Sequence, residues 1–306
     1  MLAQTLARRS HRALAALGAA ALLGLRPPAA ASAAAASTLA ASSPAPHATP
    51  QRAGAGASAA AAARLPSVVL YQYESCPFCN KVRAYLDWRG IPYTVVEVDP
   101  LLKRALAFSE YKKVPLAVID GAATGDSSAI IDALEGKLRA AGLAPGGGEG
   151  AEAAPWRAWA DAVLVKHLTV NIYRSWGEAL QTFDYLTQRN FPPWSAVAAK
   201  YIGAAAMVAV AGKRRKELGV APALGAERAA LAGALGELEA GLRGQPFLGG
   251  AGAGLADVSI YGVLRSIRAL PTYTEAVLGH AGAAAWCARM EAAVGASQLQ
   301  HRVGEK

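Results

Sequence analysis

The pattern of apolar residues between Val68 and Arg89 changes from that of a strand to that of a helix. Val68 to Tyr73 is a run of β-branched and aromatic residues with the length of a buried strand. From Pro77 onward the apolar residues recur at helical spacing, and proline is favoured in the first turn of a helix. The pattern therefore predicts a strand, a short break and a helix, with Cys76 at the helix N-terminus.

Alternating strands and helices continue to about residue 140. Tyr93 to Val98 predicts a second strand, Leu101 to Phe108 a short helix, and Pro115 to Ile119 a third strand. A weaker fourth strand is expected around Gly121 to Thr124, ahead of another apolar helix. Strand–helix–strand units with short links indicate a sheet with a parallel pair. The order predicts an α/β thioredoxin-like domain over residues 65–140.

Only helical periodicity follows a Gly-, Ala- and Pro-rich linker at residues 141–154. Residues 155–300 are therefore predicted to form an all-α domain. Its later helices are expected at Glu227 to Leu242, Leu255 to Ala269 and Ala283 to Val294.

One stretch of this helical part, Ala196 to Ala211, consists of small and apolar residues apart from Lys200 and is followed by four basic residues. Its apolar run is too short to span a bilayer. A core helix of the bundle is favoured over a membrane-surface helix with a basic end, and both interpretations stay open.

Most of the net positive charge of the chain comes from its first 64 residues. The net charge is +9; residues 1–64 contribute six arginines and no acidic residue, which leaves 25 basic and 22 acidic residues, or +3. A folded part so close to neutrality gives no indication of nucleic-acid binding. The leader has the composition of a transit peptide, and Ala29 to Ala63 is predicted to be disordered. Paired Arg8 and Arg9 favour a mitochondrion slightly over a chloroplast; a secretory signal and an unprocessed or anchoring tail are the alternatives.

Three cysteines are too few for a disulfide scaffold in a chain of this length and fit a reducing compartment. A helix N-terminus favours a thiolate, and the first thiol of such a Cys-x-x-Cys pair commonly titrates at roughly 3.5–7.5. We expect Cys76 to be the nucleophile and Cys79 the resolving thiol. A zinc half-site is the alternative, but no second pair of ligands lies at a fitting spacing, so no metal site is predicted. Cys287 is expected to be a small core residue.

The motif Cys76-Pro77-Phe78-Cys79 after a strand resembles a glutaredoxin active site. Longer segments of both domains resemble the family of membrane-associated prostaglandin E synthases of type 2, over roughly residues 67 to 295. The matching segments are Leu70 to Tyr73, Cys76 to Cys79, Lys81 to Arg83, Val95 to Val98, Tyr111 to Pro115, Asn171 to Arg174, Phe183 to Tyr185, Ala198 to Met207, Leu255 to Asp257 and Tyr261 to Arg265.

The resemblance implies a glutathione-transferase-like architecture, with a glutaredoxin-like domain followed by a helical domain and the cleft between them. It implies a cis Val114–Pro115 bond facing the cysteines, with the Val114 backbone holding the cysteinyl part of glutathione. The turn at Asp126 and Ser127 would hold the γ-glutamyl end, and one of these two residues is also expected to cap the next helix, a contribution of about 1 kcal/mol.

Phe78 lies inside the active-site loop and is expected to contact glutathione, and Tyr73 lies just before the loop. Both could wall the apolar side of the cleft, with ordinary packing as the alternative. Asp257 would be the acidic residue of a helix cap, a folding role, although Gly254 replaces the serine or threonine that usually completes the capping box.

The function that the resemblance implies is isomerisation of prostaglandin H2, an apolar peroxide, to prostaglandin E2 with glutathione. Haem is a further cofactor of the family, but Lys166 replaces a family histidine, which weakens that implication. A glutaredoxin-type disulfide oxidoreductase and a membrane-peripheral module that binds glutathione or haem are the alternatives. Folds of this kind often pair, so a homodimer is also an expectation.

Overall fold

A five-stranded sheet forms the first part of the fold. The computed structural model describes residues 65–143, 153–188, 191–221, 223 and 225–303. The predicted leader and most of the predicted linker lie outside these residues. The strands are β1 (Val68–Gln72), β2 (Tyr93–Glu97), β3 (Leu116–Ile119), β4 (Ala122–Gly125) and β5 (Leu299–Val303), in the spatial order β4-β3-β1-β2-β5.

Two helices complete this domain, α1 (Pro77–Trp88) and α2 (Ser127–Ala140). β1 pairs with β2 in parallel, and β3 lies antiparallel to both β1 and β4. The core contains alternate strand residues and the inner faces of both helices, such as Leu70, Val82 and Ile130. The predicted thioredoxin-like arrangement is confirmed.

The predicted helix from Leu101 to Phe108 is wrong. Only one 3-10 turn forms there, Arg104–Leu106. Asp99 Oδ1 accepts hydrogen bonds from the backbone of Leu101 and Leu102, at 2.8 and 3.1 Å, which makes a local turn in place of a helix start. Lys103 then has a positive φ of 48°, which a continuous helix does not allow.

The second part is a helical domain. Its helices are α3 (Ala153–Trp159), α4 (Val165–Ile172), α5 (Trp176–Thr182), α6 (Pro193–Glu217), α7 (Ala226–Leu242), α8 (Leu255–Arg265) and α9 (Ala281–Val294). Wider π turns occupy Ala160–Leu164 and Tyr273–Leu278, and a 3-10 segment occupies Asp184–Gln188.

The chain then returns to the first domain, which the sequence pattern did not predict. β5 adds to the sheet beside β2 in parallel, so the segment to residue 300 is not purely helical. Asp87, at the end of α1, anchors the segment just before β5, because its Oδ1 accepts a hydrogen bond from the Gln298 N–H at 2.8 Å. Its Oδ2 accepts from Arg265 Nη1 of α8 at 2.7 Å.

α1 and α8 join the two domains through a close backbone approach. A Cβ atom at Gly262 would lie 2.5 Å from the Lys81 Cα and 2.8 Å from the Asn80 carbonyl oxygen. Only glycine therefore allows the observed spacing between these helices.

Two polar side chains of the helical domain, those of Asp257 and Cys287, are buried in its interior. The fully buried Asp257 accepts from the backbone N–H groups of Leu248 and Gly254, at 2.9 and 3.0 Å, and from Trp286 Nε1 at 3.2 Å. Gly254 has no side chain with which to return the bond. Cys287 is buried in the core, and burial raises the pKa of its thiol to about 11.

The helix α6 is a helix of the bundle with one exposed apolar face. It packs against α4 and α5 as a member of the bundle, but its outer face is apolar and exposed, with Trp194 63% and Ile202 57% accessible. Among the described helices it is the one whose length and mean hydropathy would suffice to cross a membrane, a test that core helices also pass.

Candidate active site

The Cys76 thiol lies in the short loop between β1 and α1. Cys76 is the N-cap residue of α1, with extended backbone angles, and Pro77 follows in the first turn. Asn80 stabilises this loop because its Nδ2 donates to the carbonyl oxygens of Glu74 and Cys76, at 2.8 and 3.1 Å. Cys76 is partly exposed, whereas Cys79 is buried one turn further along.

The two thiols have different proton affinities. A hydrogen bond from the Cys79 thiol lowers the pKa of Cys76, and the backbone N–H groups of Cys79 and Phe78 act in the same direction against the effect of burial. Burial and the same Cys76–Cys79 hydrogen bond raise the pKa of Cys79 well above its ordinary value. This arrangement suits Cys76 to attack and Cys79 to resolve.

Glu97 lies beside the same loop, at the end of β2. Its Oε1 accepts from the Glu74 N–H at 2.6 Å and its Oε2 accepts from Gln72 Nε2 at 3.1 Å. The carboxylate therefore fixes the loop, while its charge opposes ionisation of Cys76 and Cys79.

The sheet register brings the predicted glutathione-binding residues to the same end as the cysteines. Leu116 pairs with Tyr71 on one side and with Gly125 on the other. Val114 and Pro115, just before β3, and Asp126, just after β4, consequently lie at the end of β1 that leads to Cys76. The Val114–Pro115 bond is cis, as the resemblance implied.

The turn after β4 caps α2 through Asp126. Its Oδ1 accepts from the backbone N–H groups of Ser128 and Ala129, at 2.9 and 3.2 Å. Asp126 is exposed and Ser127 is buried, so the carboxylate is the more accessible of the two side chains. An exposed carboxylate can pair with a ligand amine, and the positive end of the helix dipole attracts a ligand carboxylate.

Tyr111 lies between the cysteines and this turn. Its ring packs so closely on Gly125 that a Cβ there would be 2.6 Å from the ring. Burial raises the pKa of its hydroxyl, and the charges of Asp126, Cys76 and Cys79 act on it as well. Tyr111 therefore lies close enough to Asp126 and to both thiols for their charges to act on its hydroxyl.

Two more phenols lie near the Cys76 charge, and a third contacts the loop that carries Cys76. Burial, followed by the Cys76 and Cys79 charges, raises the pKa of Tyr73 to about 12. Tyr173, from the helical domain, is buried, and its pKa is raised by burial and by the charge of Cys76. Tyr185 accepts a hydrogen bond from the Ser75 side chain, and burial raises its pKa. All three phenols stay protonated near neutral pH and can donate hydrogen bonds.

Tyr73 is a pocket residue predicted from the sequence, which gives no role to Glu97, Tyr111, Tyr173 or Tyr185. Each of these four residues lies inside a segment that matches the resembled family, which is the one indication of their position that the sequence contains. Phe78 is half-buried in the loop itself. Among the described residues, no group of three or more His, Cys, Asp or Glu side chains is arranged to hold a metal ion.

A thioredoxin-like sheet domain with a thiol at its first helix, followed by a helical domain, defines a glutathione-transferase-like protein. Two family models match accordingly: the glutathione S-transferase N-terminal domain over residues 70–140 and the C-terminal domain over residues 219–289. Among solved structures, a glutathione-transferase-like protein from Pseudomonas syringae is 21% identical, with a TM-score of 0.49 and coverage of 76% of this chain and 70% of that one. A glutathione S-transferase from Rhodospirillum rubrum is also 21% identical, with a TM-score of 0.46 and coverage of 73% and 87%.

The sequence relatives are more specific. Prostaglandin E synthase 2 from Mus musculus is 32% identical over 83% of this chain and 78% of the relative. Prostaglandin E synthase 2 from Danio rerio is 32% identical over 74% of this chain and 71% of the relative. The chain belongs to the prostaglandin E synthase 2 family, and it is an enzyme of this type with a glutathione-related function.

Proposed function

We propose that this enzyme is a glutathione-dependent isomerase that converts the endoperoxide prostaglandin H2 to the hydroxyketone prostaglandin E2. The names of its relatives suggest the substrate. The observation that supports the chemistry is a thiol of lowered pKa, Cys76, beside a phenol that stays protonated, Tyr73. The Cys76 thiol can act on a peroxide bond, and the Tyr73 phenol can supply a proton to the oxygen that is released.

The reaction needs no oxidant or reductant because substrate and product are isomers. A base takes the proton from the carbon that carries one peroxide oxygen, and the C–H electron pair forms the ketone. The O–O bond breaks, its electron pair stays on the second oxygen, and that oxygen takes a proton to become the hydroxyl. We assign the thiol held at Cys76 to polarising the O–O bond and Tyr73 to donating the proton.

Glutathione is placed along the groove at the end of the sheet. Its sulfur would lie at Cys76, its cysteinyl backbone at Val114 beside Pro115, and its γ-glutamyl end at Asp126 and Ser127. The register of β3 with β1 and β4 supports this placement because it puts the three positions side by side. Phe78 would cover the apolar side of the same groove.

A glutaredoxin-type oxidoreductase is the second candidate, and the hydrogen bond between Cys79 and Cys76 favours it. In that reaction the Cys76 thiolate attacks the glutathione sulfur of a mixed disulfide and releases the other thiol. A second glutathione can then attack the Cys76–glutathione disulfide, which frees Cys76 and releases oxidised glutathione. Alternatively, Cys79 attacks it, which forms the Cys76–Cys79 disulfide and releases glutathione.

Assays of the full chain with prostaglandin H2 and with a mixed disulfide separate the candidates. An isomerase needs Cys76 and tolerates Cys79→Ser, whereas dithiol turnover needs both. Cys287→Ala is the control because this cysteine is buried in the core of the helical domain. Full isomerase activity in Cys76→Ser would contradict the proposed mechanism.

No step of the proposed reaction uses haem, which the resemblance names as a further cofactor. A Soret band that forms only when haem and glutathione are added together would establish haem binding.

We also propose that the outer face of α6 attaches the protein peripherally to a membrane, in an organelle if the leader acts as a transit peptide. Trp194, Val197, Tyr201 and Ile202 are exposed on this face, and no charged residue lies between Lys200 and Lys213. Lys200 is bound to Asp184. Lys213 and Lys216 are exposed at the helix end, where they suit anionic lipid headgroups.

Flotation of the full chain with anionic and neutral vesicles tests this attachment. Ile202→Glu should abolish flotation, whereas Lys137→Glu, an exposed position on α2, should not. Loss of self-association in Ile202→Glu without any vesicle binding by the wild type would instead assign the face to a second copy of the chain.

A further inference from the structure

A cavity of about 650 Å³ lies beside the active-site loop and is not lined by Cys76 or Cys79. It is bordered by Glu74 and Ser75 ahead of Cys76, by Arg83 of α1, by Tyr185, and by Arg265 and Arg268 at the end of α8. Its size is in the range of pockets for small-molecule ligands. None of the roles proposed above uses this cavity.

The charged groups of the cavity are unevenly paired. Its two carboxylates have cationic partners outside the lining: Glu74 lies 3.7 Å from Arg302, and Asp184 pairs with Lys200. Two of the three arginines also have carboxylate partners: Arg265 pairs with Asp87 and Arg268 with Glu291, each at 2.7 Å. Arg83 lies near the charges of Asp87 and Glu74. The five cations and four carboxylates of this network leave a net charge of +1.

Two of these arginines retain buried donors without acceptors. Arg265 donates through Nη1 to Asp87 at 2.7 Å, while its Nη2 is buried and has no hydrogen-bond partner among the described residues. Arg83 bonds to the uncharged Tyr93 hydroxyl, and its Nε is likewise buried without a partner in the described part of the chain. Buried charged donors of this kind require an explanation, and a bound anion is one.

We propose that this cavity is a binding site for a small phosphate- or carboxylate-bearing molecule, separate from the glutathione groove. Guanidinium groups bind both kinds of oxyanion through paired N–H donors. Ser75, Asn80 and Thr182 line the same cavity and add side chains that can hydrogen bond to the remainder of the ligand. The two arginines turn their unpaired donors toward the oxyanion on binding.

Calorimetric titration of the full chain with inorganic pyrophosphate and, separately, with citrate tests the proposal. Both titrations are made at one ionic strength, once without glutathione and once with glutathione at saturation. We expect saturable binding of one molecule per chain for at least one of the two anions. Tighter binding of pyrophosphate would identify a phosphate-bearing ligand, and tighter binding of citrate a carboxylate-bearing one.

Gln181→Glu places a negative charge in the cavity at an exposed position, so the fold should tolerate it. We expect it to weaken binding at least tenfold, as should Arg83→Met if that variant folds. Gln300→Glu is the matched control because it makes the same exchange at an exposed residue outside the cavity. The proposal is overturned if neither anion binds, if Gln181→Glu binds like the control, or if glutathione abolishes the binding.

Discussion

Lys81 Nζ donates to both carboxylate oxygens of Asp161, at 2.8 and 2.7 Å. Lys81 is fully buried on α1, and Asp161 lies in the π turn that follows α3. The Ser128 hydroxyl at the start of α2 completes the cluster, 2.9 Å from Lys81 Nζ and 3.2 Å from Asp161 Oδ2. A single buried cation thus ties the thiol-bearing helix to the helical domain.

Asp161→Ala should destabilise the protein by roughly 3 kcal/mol because it leaves the Lys81 ammonium buried without its counter-ion. The double variant Lys81→Met, Asp161→Leu should recover most of this loss, since it removes both charges. Chemical denaturation measures the difference. As a control, Lys137→Met breaks the exposed pair with Asp120 and should cost about 0–1 kcal/mol. Equal effects of the two single variants would contradict the proposed importance of burial.

The reactivity of Cys76 should depend on Cys79. In the wild type, the rate of Cys76 alkylation should reach half its maximum below the pH of about 8.5 at which a free cysteine titrates. Cys79→Ala removes the hydrogen bond that lowers the Cys76 pKa, so the midpoint should move to higher pH and alkylation at pH 6 should slow. Mass spectrometry of the labelled peptide follows the reaction, and the buried Cys287 serves as the unreactive internal reference. An unchanged midpoint would show that the helix N-terminus alone controls this thiol.

Gly262→Ala should destabilise the interface between α1 and α8. The new Cβ would meet backbone atoms of Lys81 and Asn80 at 2.5 to 2.9 Å, and backbone cannot move aside as a side chain can. A loss of about 1–3 kcal/mol or more is expected in thermal or chemical unfolding. Gly236→Ala is the matched control: its Cβ would meet nothing within 4 Å inside α7, so it should stabilise by about 1 kcal/mol. A stable Gly262→Ala protein would mean that the two helices can separate without cost.

Asp126→Asn should separate capping from glutathione binding. Asparagine caps a helix about as well as aspartate does, so stability should change little, whereas loss of the negative charge should weaken glutathione binding about tenfold. Asp126→Ala should weaken both, with a stability loss of about 1 kcal/mol. Calorimetry with glutathione and a melting curve give the two quantities. Wild-type affinity in Asp126→Asn would restrict Asp126 to its structural role.

The sequence predicted the local parts of the fold well and its long-range parts poorly. Hydrophobic spacing placed β1, α1 and the last three helices of the second domain within a few residues of their bounds, because that spacing reflects which side of one element is buried. It missed β5, whose partner β2 is distant in the chain, and it predicted a helix after β2 where the Asp99 turn forms. Neither the pairing of β5 nor the Asp99 turn can be predicted from the spacing of neighbouring apolar residues.

The sequence determines that Cys76 lies at the start of a helix with Cys79 one turn further on. The strand, the break and the helix are each indicated by a short run of neighbouring residues. The surroundings that set the chemistry are not determined in this way. The charge of Cys76 acts on Tyr173 of the helical domain, and Arg83 shares a cavity with Tyr185 and Arg265, in a structure where α1 and α8 pack at the distance that Gly262 allows. Contacts between distant segments depend on how whole elements pack, and packing is decided by tertiary structure.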